Sequence, residues 1–172
     1  MSGMDAEQHE RETVIRWRDP GLGLAARPSL TGLEYLRKIA SGELPAAPMA
    51  SHINARIVDV GEGTATFECR PDESHYNPIG MVHGGLVCTL LDSALGCAAQ
   101  TLLPAGTGYT SIEIKVNYLR PVHSHSGPLI ATGRVTKPGR RVSFTEGEVR
   151  DNEGKIVATA QSTLLVFPLE AE

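Results

Sequence analysis

A long apolar segment near the middle of the chain most strongly limits the possible fold. It runs from His83 to about Leu103, contains no proline and does not alternate between polar and apolar residues. At about twenty residues it is too long for a usual strand, so it predicts a helix that Pro104 terminates. Because this helix is apolar on nearly all sides, other elements must cover most of its surface. One carboxylate, Asp92, lies within it.

In the segments on either side of this helix, apolar and polar residues alternate with a period of two. Before it, residues 53–60 and 64–71 are predicted to form two strands, joined by the turn Gly61-Glu62-Gly63. After it come four more alternating segments, and turns such as KPGRR and DNEGK predict that the later strands form a meander. Antiparallel strands around one buried helix indicate an α+β domain in which a curved sheet wraps the helix.

The N-terminal part of the chain has a different character. Residues 1–30 are charged and then glycine-rich, which predicts a peripheral arm before a domain of residues 31–172. A short amphipathic helix is predicted at residues 31–41, because apolar residues recur there at steps of three and four. Two prolines, Pro45 and Pro48, then predict a linker.

Composition and charge argue against several classes of protein. The 172 residues, 41% hydrophobic and 21% charged, fit one globular domain. The net charge of −4 argues against a nucleic-acid partner. We expect no membrane partner and a cytoplasmic location, because no apolar segment could span a bilayer and the polar N-terminus does not resemble a secretory signal. The three cysteines lack CxxC spacing and are expected to pack as small hydrophobic residues.

Two features of the predicted helix could carry chemistry. Gly84 and Gly85 follow His83 at its start, where free backbone N–H groups can bind an anion or an oxyanion; the glycines could equally serve only close packing. Asp92 has only small or apolar neighbours at helical spacing. It either points to solvent or serves as a general base or nucleophile.

Gly84 and Asp92 cannot easily act on the same small group within one helix. They are eight residues apart, which corresponds to about 12 Å along the axis and about 80° around it. Two antiparallel helices from two chains would instead bring the amide end of one helix to the carboxylate of the other. The spacing therefore favours a symmetric dimer with sites at its interface.

Two polar residues outside the helix are further candidates. Asn77, in an Asn-Pro turn, could orient a carbonyl group or a water molecule, or could only begin the turn. Ser111 is predicted to meet solvent or to position a water molecule. Strict alternation places it on the strand face opposite to Ile112, Ile114, Val116 and Tyr118.

The combined motif resembles a known enzyme family. The pattern Asn77-x-x-Gly80-x-x-His83-Gly84-Gly85, followed by Asp92 and the segment SIEIKVNYLRP, is similar to that of the hotdog-fold acyl-CoA thioesterases of the phenylacetate-pathway (PaaI-like) type. The resemblance covers residues 31–167. It implies an α+β hotdog fold, homodimers that often pair into tetramers, and hydrolysis of an acyl- or aryl-acyl-CoA to the free acid and CoA. It implies no cofactor, since CoA is part of the substrate.

The resemblance also implies roles for individual residues. The Gly84 amide would polarise the thioester carbonyl group, and Asn77 would help to orient it. Asp92 of the other subunit would act as a base on water or as the nucleophile, and Ser111 would help to hold that water. His83 is expected to be structural or orienting.

Substrate-binding roles follow from the same resemblance. Gly80 would shape the loop before the helix, and Gly85 would also bind the substrate. Relatives bind the CoA phosphates with basic side chains, which in this chain predicts Lys137, Arg140 and Arg141 of the turn TKPGRRVSF.

Three other functions compete with this interpretation. A hotdog dehydratase or hydratase would carry a loop such as HFPG, which is absent. A non-catalytic acyl-CoA-binding module would not need Asp92 and Ser111. A metal site of His123 and His125 with His52 or His83 lacks a clear third ligand, so no metal is expected.

Overall fold

The computed structural model describes residues 10–169. The helices of this part of the chain are α1 (Gly21–Ala26), α2 (Gly32–Ala40), α3 (Pro48–His52) and α4 (Gly84–Gln100). Its strands are β1 (Ala55–Gly61), β2 (Thr64–Cys69), β3 (Thr107–Tyr118), β4 (Leu129–Lys137), β5 (Val142–Arg150) and β6 (Ile156–Pro168). Within this range, no helix combines the length and the hydropathy that crossing a bilayer requires.

All six strands form one antiparallel sheet in the order β1-β2-β4-β5-β6-β3. β4, β5 and β6 follow one another as the predicted meander, whereas β3 pairs with β6 at the far edge. The connection from β3 to β4 therefore passes β6 and β5. β1 and β3 are the two edge strands of the sheet, and β3, with 12 residues, is the longer.

The predicted central helix is confirmed as α4, which packs against every strand of the sheet. Its core-facing residues, such as Leu90 and Leu95, are fully buried. A glycine in the sheet makes the close approach possible: a Cβ atom on Gly133 would lie 2.4 Å from the carbonyl oxygen of Ala94. The predicted α+β architecture, a sheet around one buried helix, is therefore confirmed.

The helix predicted at residues 31–41 is confirmed as α2. Thr31 and Glu34 form a capping box, in which each side chain accepts a hydrogen bond from the backbone N–H of the other. A Cβ atom on Gly32 would lie 1.7 Å from the carbonyl oxygen of Gln100. α2 therefore begins directly against the C-terminal end of α4.

The segments around α2 are more helical than predicted. The glycine-rich segment of the arm contains α1, and α3 begins at Pro48, where the prolines predict only a linker. That expectation is wrong because proline suits the first turn of a helix, where its missing N–H group needs no partner.

Residues 10–19 follow the surface of the domain without regular secondary structure. The ring of Trp17 lies 5.7 Å from that of His52, and Arg18 donates a hydrogen bond to the carbonyl oxygen of Gly42 at 2.7 Å. The rest of the predicted arm, residues 1–9, lies outside the described residues, as do residues 170–172. The domain boundary at residue 30 stays a prediction.

Candidate active site

Asp92 and Ser111 meet where α4 packs against β3. The Ser111 hydroxyl donates a hydrogen bond to Asp92 Oδ1 at 2.7 Å, and both residues are half-buried. No donor among residues 10–169 bonds to Asp92 Oδ2. A carboxylate with one oxygen held and the other available is oriented for proton transfer or for nucleophilic attack.

A β-bulge in β3 brings Ser111 to this position. Ser111 pairs with Leu164 and Glu113 pairs with Thr163, so Ile112 is the additional residue. Ile112 is 57% exposed, whereas the apolar residues beyond the bulge, Ile114 and Val116, pack against the core. Ser111 is therefore opposite to Ile112, as predicted, but the prediction that it is also opposite to Ile114 and Val116 is wrong, because alternation holds only in a regular strand.

The Asp92 side chain borders a cavity of about 680 Å³. One wall comes from α4 and β3, and the other comes mainly from α1, α2, α3 and the segments between them. Most of the lining is apolar, namely Leu24, Leu36, Ile39, Pro45, Met49, Ile57, Phe67 and Cys97. A cavity of this size and lining suits an apolar or aromatic group.

Polar side chains also line this cavity, and sequence reasoning missed them. They are Arg27, Tyr35, Arg56, Ser93, Gln100, Tyr109 and Thr110, of which Arg56 forms an ion pair with Glu68. Burial raises the pKa of Tyr35 and raises that of Tyr109 well above its usual value, so both hydroxyls stay protonated at neutral pH. The sequence offers one indication of Tyr109, namely Gly96, since a glycine inside a helix can mark close packing. In the structure, a Cβ atom on Gly96 would lie 2.4 Å from the Tyr109 hydroxyl oxygen.

The N-terminal end of α4 opens onto a different cleft. His83 is the N-cap residue, and its Nδ1 accepts a hydrogen bond from the Gly85 N–H at 2.8 Å. In the described part of the chain, no acceptor takes the Gly84 N–H, which lies at the positive end of the helix dipole. The Tyr118 hydroxyl donates to the Gly84 carbonyl at 2.9 Å, and a Cβ atom on Gly84 would lie 3.1 Å from the Tyr118 ring, so a side chain there would require the ring to shift.

The loop before α4 holds Asn77 in place beside this cleft. Asn77 Oδ1 accepts hydrogen bonds from the backbone N–H groups of Ile79 and Met81, both at 3.1 Å. Gly80 has a φ of +78°, a conformation that favours glycine. Asn77 Nδ2 has no acceptor within residues 10–169 and remains a possible donor to a ligand. Asn77 and Gly84 border the same cleft of about 510 Å³.

The predicted catalytic residues therefore fall into two groups within one chain. Asp92 and Ser111 border the cavity, whereas Asn77 and Gly84 border the cleft. The structure brings the members of each group together but does not bring the two groups together. This separation matches the spacing of about 12 Å expected along α4.

The predicted phosphate-binding residues lie apart from both groups. Lys137, Arg140 and Arg141 are exposed at the turn between β4 and β5. Arg140 borders a cleft with Leu102 and Leu103, beyond the C-terminal end of α4. Within one chain this turn is therefore at the opposite end of the helix from Gly84.

The cysteines are free thiols. Burial raises the pKa of Cys69 and of Cys97 to about 12, so both stay protonated and weakly reactive at neutral pH. The rings of His123 and His125 stack at 5.0 Å. Across residues 10–169, no three His, Cys, Asp or Glu side chains are grouped as metal ligands would be.

Comparison with known sequences agrees with this geometry. A profile of the Thioesterase superfamily matches residues 79–158, which include Gly84, Asp92 and Ser111. A candidate esterase of Halobacterium salinarum is 34% identical over an alignment of 130 positions, which covers 69% of this chain and 84% of that protein. The human acyl-coenzyme A thioesterase 13 is 28% identical over 108 residues, which are 62% of this chain and 76% of that protein.

Solved structures agree with the sequence comparison. A thioesterase of Haemophilus influenzae superposes with a TM-score of 0.69 at 26% identity, over 81% of this chain and 93% of that one. The PaaI protein from the phenylacetic acid degradation operon of E. coli superposes with a TM-score of 0.70 over 80% of this chain and 99% of that one. At 20% identity, the PaaI match shows the fold alone. The chain therefore belongs to the Thioesterase superfamily, as a thioester hydrolase whose hotdog fold is that of PaaI.

Proposed function

We propose that this thioester hydrolase acts on acyl-CoA or aryl-acyl-CoA at sites that two chains form together. One observation carries the proposal: the Asp92–Ser111 pair borders a mainly apolar cavity, while the free amide end of the same helix borders another cleft. A relative at 28% identity is named as an acyl-coenzyme A thioesterase, which supports CoA as the leaving group.

Hydrolysis of a thioester requires an attacking oxygen and a donor to the carbonyl oxygen. Asp92 supplies the first, either by taking a proton from an attacking water molecule or by attacking directly through Oδ2. The Gly84 N–H of the second chain stabilises the oxyanion, with Asn77 Nδ2 of that chain as a further donor.

If Asp92 acts as the base, the water oxygen bonds to the carbonyl carbon, the C–S bond breaks, and the proton that Asp92 took passes to the CoA sulfur, so the products are the free acid and CoA. If Asp92 attacks directly, the C–S bond breaks as a mixed anhydride forms and the CoA sulfur takes a proton from solvent. Water then hydrolyses the anhydride, which releases the free acid and restores Asp92.

In this proposal β3 forms the contact with the second chain. It is the longer edge strand of the sheet, and its Ile112 and Tyr118 side chains are 57% and 55% exposed. Antiparallel pairing with β3 of a second copy would satisfy the open backbone groups of this edge. The two-fold axis would make the two α4 helices antiparallel, with the amide end of each near Asp92 of the other. We expect such homodimers to pair into tetramers, as the resemblance implies.

The basic turn of Lys137, Arg140 and Arg141 is proposed to attract the CoA phosphates. All three side chains are exposed, and none forms an ion pair with a described residue. In an antiparallel dimer, the C-terminal end of one α4 lies on the side of the N-terminal end of the other. The turn would then lie toward the cleft of the partner chain, where the CoA moiety leaves the site.

A product assay tests the proposed function. The full chain is incubated with short, medium, long and aryl acyl-CoAs, and both free CoA and the acyl product are quantified. Hydrolysis yields one free acid for each thiol released. A dehydratase or hydratase would alter the acyl chain and leave the thioester intact, and a binding module would retain acyl-CoA without releasing thiol. Either of these results would contradict the proposal.

A further inference from the structure

The Asp92 cavity contains an arginine that the proposed reaction does not use. Arg27 directly follows α1 and is half-buried in the cavity wall. Its Nε is buried and has no hydrogen-bond partner, and its guanidinium group forms no ion pair with any of residues 10–169. Buried polar atoms in native proteins nearly always have a partner. Because Arg27 lines the cavity without an ion-pair partner among residues 10–169, its guanidinium group is available to bind an anionic group of a ligand.

Arg27 lies some distance from Asp92 along the cavity. An Nη2 atom of Arg27 lies 3.1 Å from the position of a Cβ atom on Gly108, at the edge of β3 and beside Phe167. Gly108 precedes Ser111 by three residues, so the two residues point to opposite faces of this edge strand. Three residues of strand span about 10 Å. On the helix side, the lining runs from Asp92 to Gln100, which is about 12 Å along α4. An acyl group whose carbonyl carbon is at Asp92 would therefore extend about 10 to 12 Å along the cavity before its far end meets Arg27 at the edge of β3.

The surroundings of Arg27 suit an anionic group. Tyr35 and Tyr109 line the same part of the cavity, and the Arg27 charge acts to lower the pKa of both hydroxyls, although burial has the larger and opposite effect. The protonated Tyr35 hydroxyl is an additional donor, whereas that of Tyr109 bonds to Cys97. A guanidinium group binds a carboxylate through two parallel hydrogen bonds, the strongest pairing available to it. The apolar residues between Asp92 and Arg27 would contact the methylene part of the chain.

We propose that Arg27 binds a carboxylate at the far end of the acyl group, so that the preferred substrates are ω-carboxyacyl-CoA thioesters. This inference rests on the proposed function, because it takes the Asp92 cavity as the acyl site. A chain that ends in a methyl group leaves the guanidinium without a partner and is disfavoured for that reason.

Two matched substrates test the proposal. Both are CoA thioesters with acyl parts of the same length, spanning roughly 8 to 12 Å, and one ends in a methyl group while the other ends in a carboxylate. We expect the kcat/KM of the unaltered protein to favour the carboxylate substrate by about 10-fold or more. Arg27→Met should reverse this preference by weakening the carboxylate substrate and improving the methyl substrate. Arg27→Lys keeps the positive charge but not the planar guanidinium group that donates two parallel hydrogen bonds, so it should give an intermediate ratio.

Two controls address other roles of this arginine. Arg37→Met removes an exposed arginine of α2 and should leave the ratio unchanged. Leu169, like Arg27, borders Gly108, and the acidic residues Glu170 and Glu172 follow it in the sequence. A chain that ends at Leu169 lacks these two carboxylates as partners for Arg27, and it should also keep the ratio of the two substrates. A truncated chain with the ratio of Arg27→Met would contradict the proposal. Equal loss of both substrates in Arg27→Met would also contradict it, since it would assign Arg27 to the CoA phosphates.

Equilibrium binding separates this inference from the proposed function. Dissociation constants for the same two thioesters are measured with Asp92→Asn protein and with Asp92→Asn combined with Arg27→Met, after thermal unfolding confirms that both fold. A carboxylate preference that disappears with Arg27 supports the inference even if no thioester is turned over. An unchanged preference overturns the inference, whatever the hydrolysis assay shows.

Discussion

The two walls of the Asp92 cavity differ in their relation to the profile of the Thioesterase superfamily. The wall of α4 and β3 lies within residues 79–158, which match the Thioesterase superfamily, and it carries Asp92 and Ser111. The wall of α1, α2 and α3 lies outside that match, and it carries Arg27 and a large share of the apolar lining. The comparison suggests that the matched wall performs the reaction and the unmatched wall selects the acyl group. Changes in the first should therefore lower kcat, and changes in the second should alter substrate preference.

The largest effect is expected at the carboxylate of the matched wall. Asp92→Asn keeps the size of the side chain but removes the base or nucleophile, so kcat should fall by roughly 10³-fold or more. The measurement is steady-state thiol release, with circular dichroism to confirm the fold. Asp59→Asn, at an exposed carboxylate of β1, is the matched control and should retain full activity. An active Asp92→Asn enzyme would remove the basis of the proposed mechanism.

Ser111→Ala should have a smaller effect on the same wall. It removes the 2.7 Å hydrogen bond to Asp92 Oδ1 but leaves the carboxylate in place. We expect kcat to fall by about 10-fold with little change in KM, because a hydrogen bond to a charged group contributes roughly 1.5 kcal/mol or more. Thermal unfolding provides the second measurement. A loss of activity that follows only a lowered Tm would assign Ser111 to folding rather than to the reaction.

A change in the unmatched wall should alter preference instead. Ile39 lines the cavity from α2, and Ile39→Ala enlarges the space for the acyl group. We expect kcat/KM to shift by about 5-fold from shorter toward longer acyl chains, since each methylene contributes on the order of 1 kcal/mol. A panel of saturated acyl-CoAs measures the shift. An equal fall in kcat for every chain length would contradict the division between the two walls.

The smallest effect is expected at the basic turn, which belongs to neither wall. Replacing Lys137, Arg140 and Arg141 together by glutamine should raise KM by about 3-fold and reduce its dependence on salt, because exposed charges contribute little. kcat should stay unchanged. The comparison is made at low and high ionic strength. An unaltered KM at low ionic strength would exclude this turn from CoA binding.

Much of the fold could be predicted because its determinants are local in the sequence. The length of the apolar segment and its lack of alternation predict α4, and the apolar residues at steps of three and four predict α2. The bulge at Ile112 could not be predicted, since it depends on how β3 pairs with β6. For the same reason, the Asp92–Ser111 bond was not foreseen.

The site was only partly predictable for a similar reason. The motif from Asn77 to Gly85 indicates which residues take part, but their assignment to separate clefts follows from tertiary packing. The sequence does not predict that Arg27 lines the site, because Arg27 lies in a segment predicted to be a peripheral arm. Its position in the cavity wall depends on α1, whose glycine-rich sequence predicts no helix.

Hybrid dimers test most directly whether two chains form each site. Chains with Asp92→Asn are mixed in equal amount with chains carrying Asn77→Ala, under conditions that exchange subunits, and hybrid formation is verified with distinguishable tags. Half of the dimers should then be hybrids with one intact site, so we predict recovery of about a quarter of the unaltered activity. Activity no higher than the mean of the two single variants, with hybrids demonstrably present, would contradict the shared site.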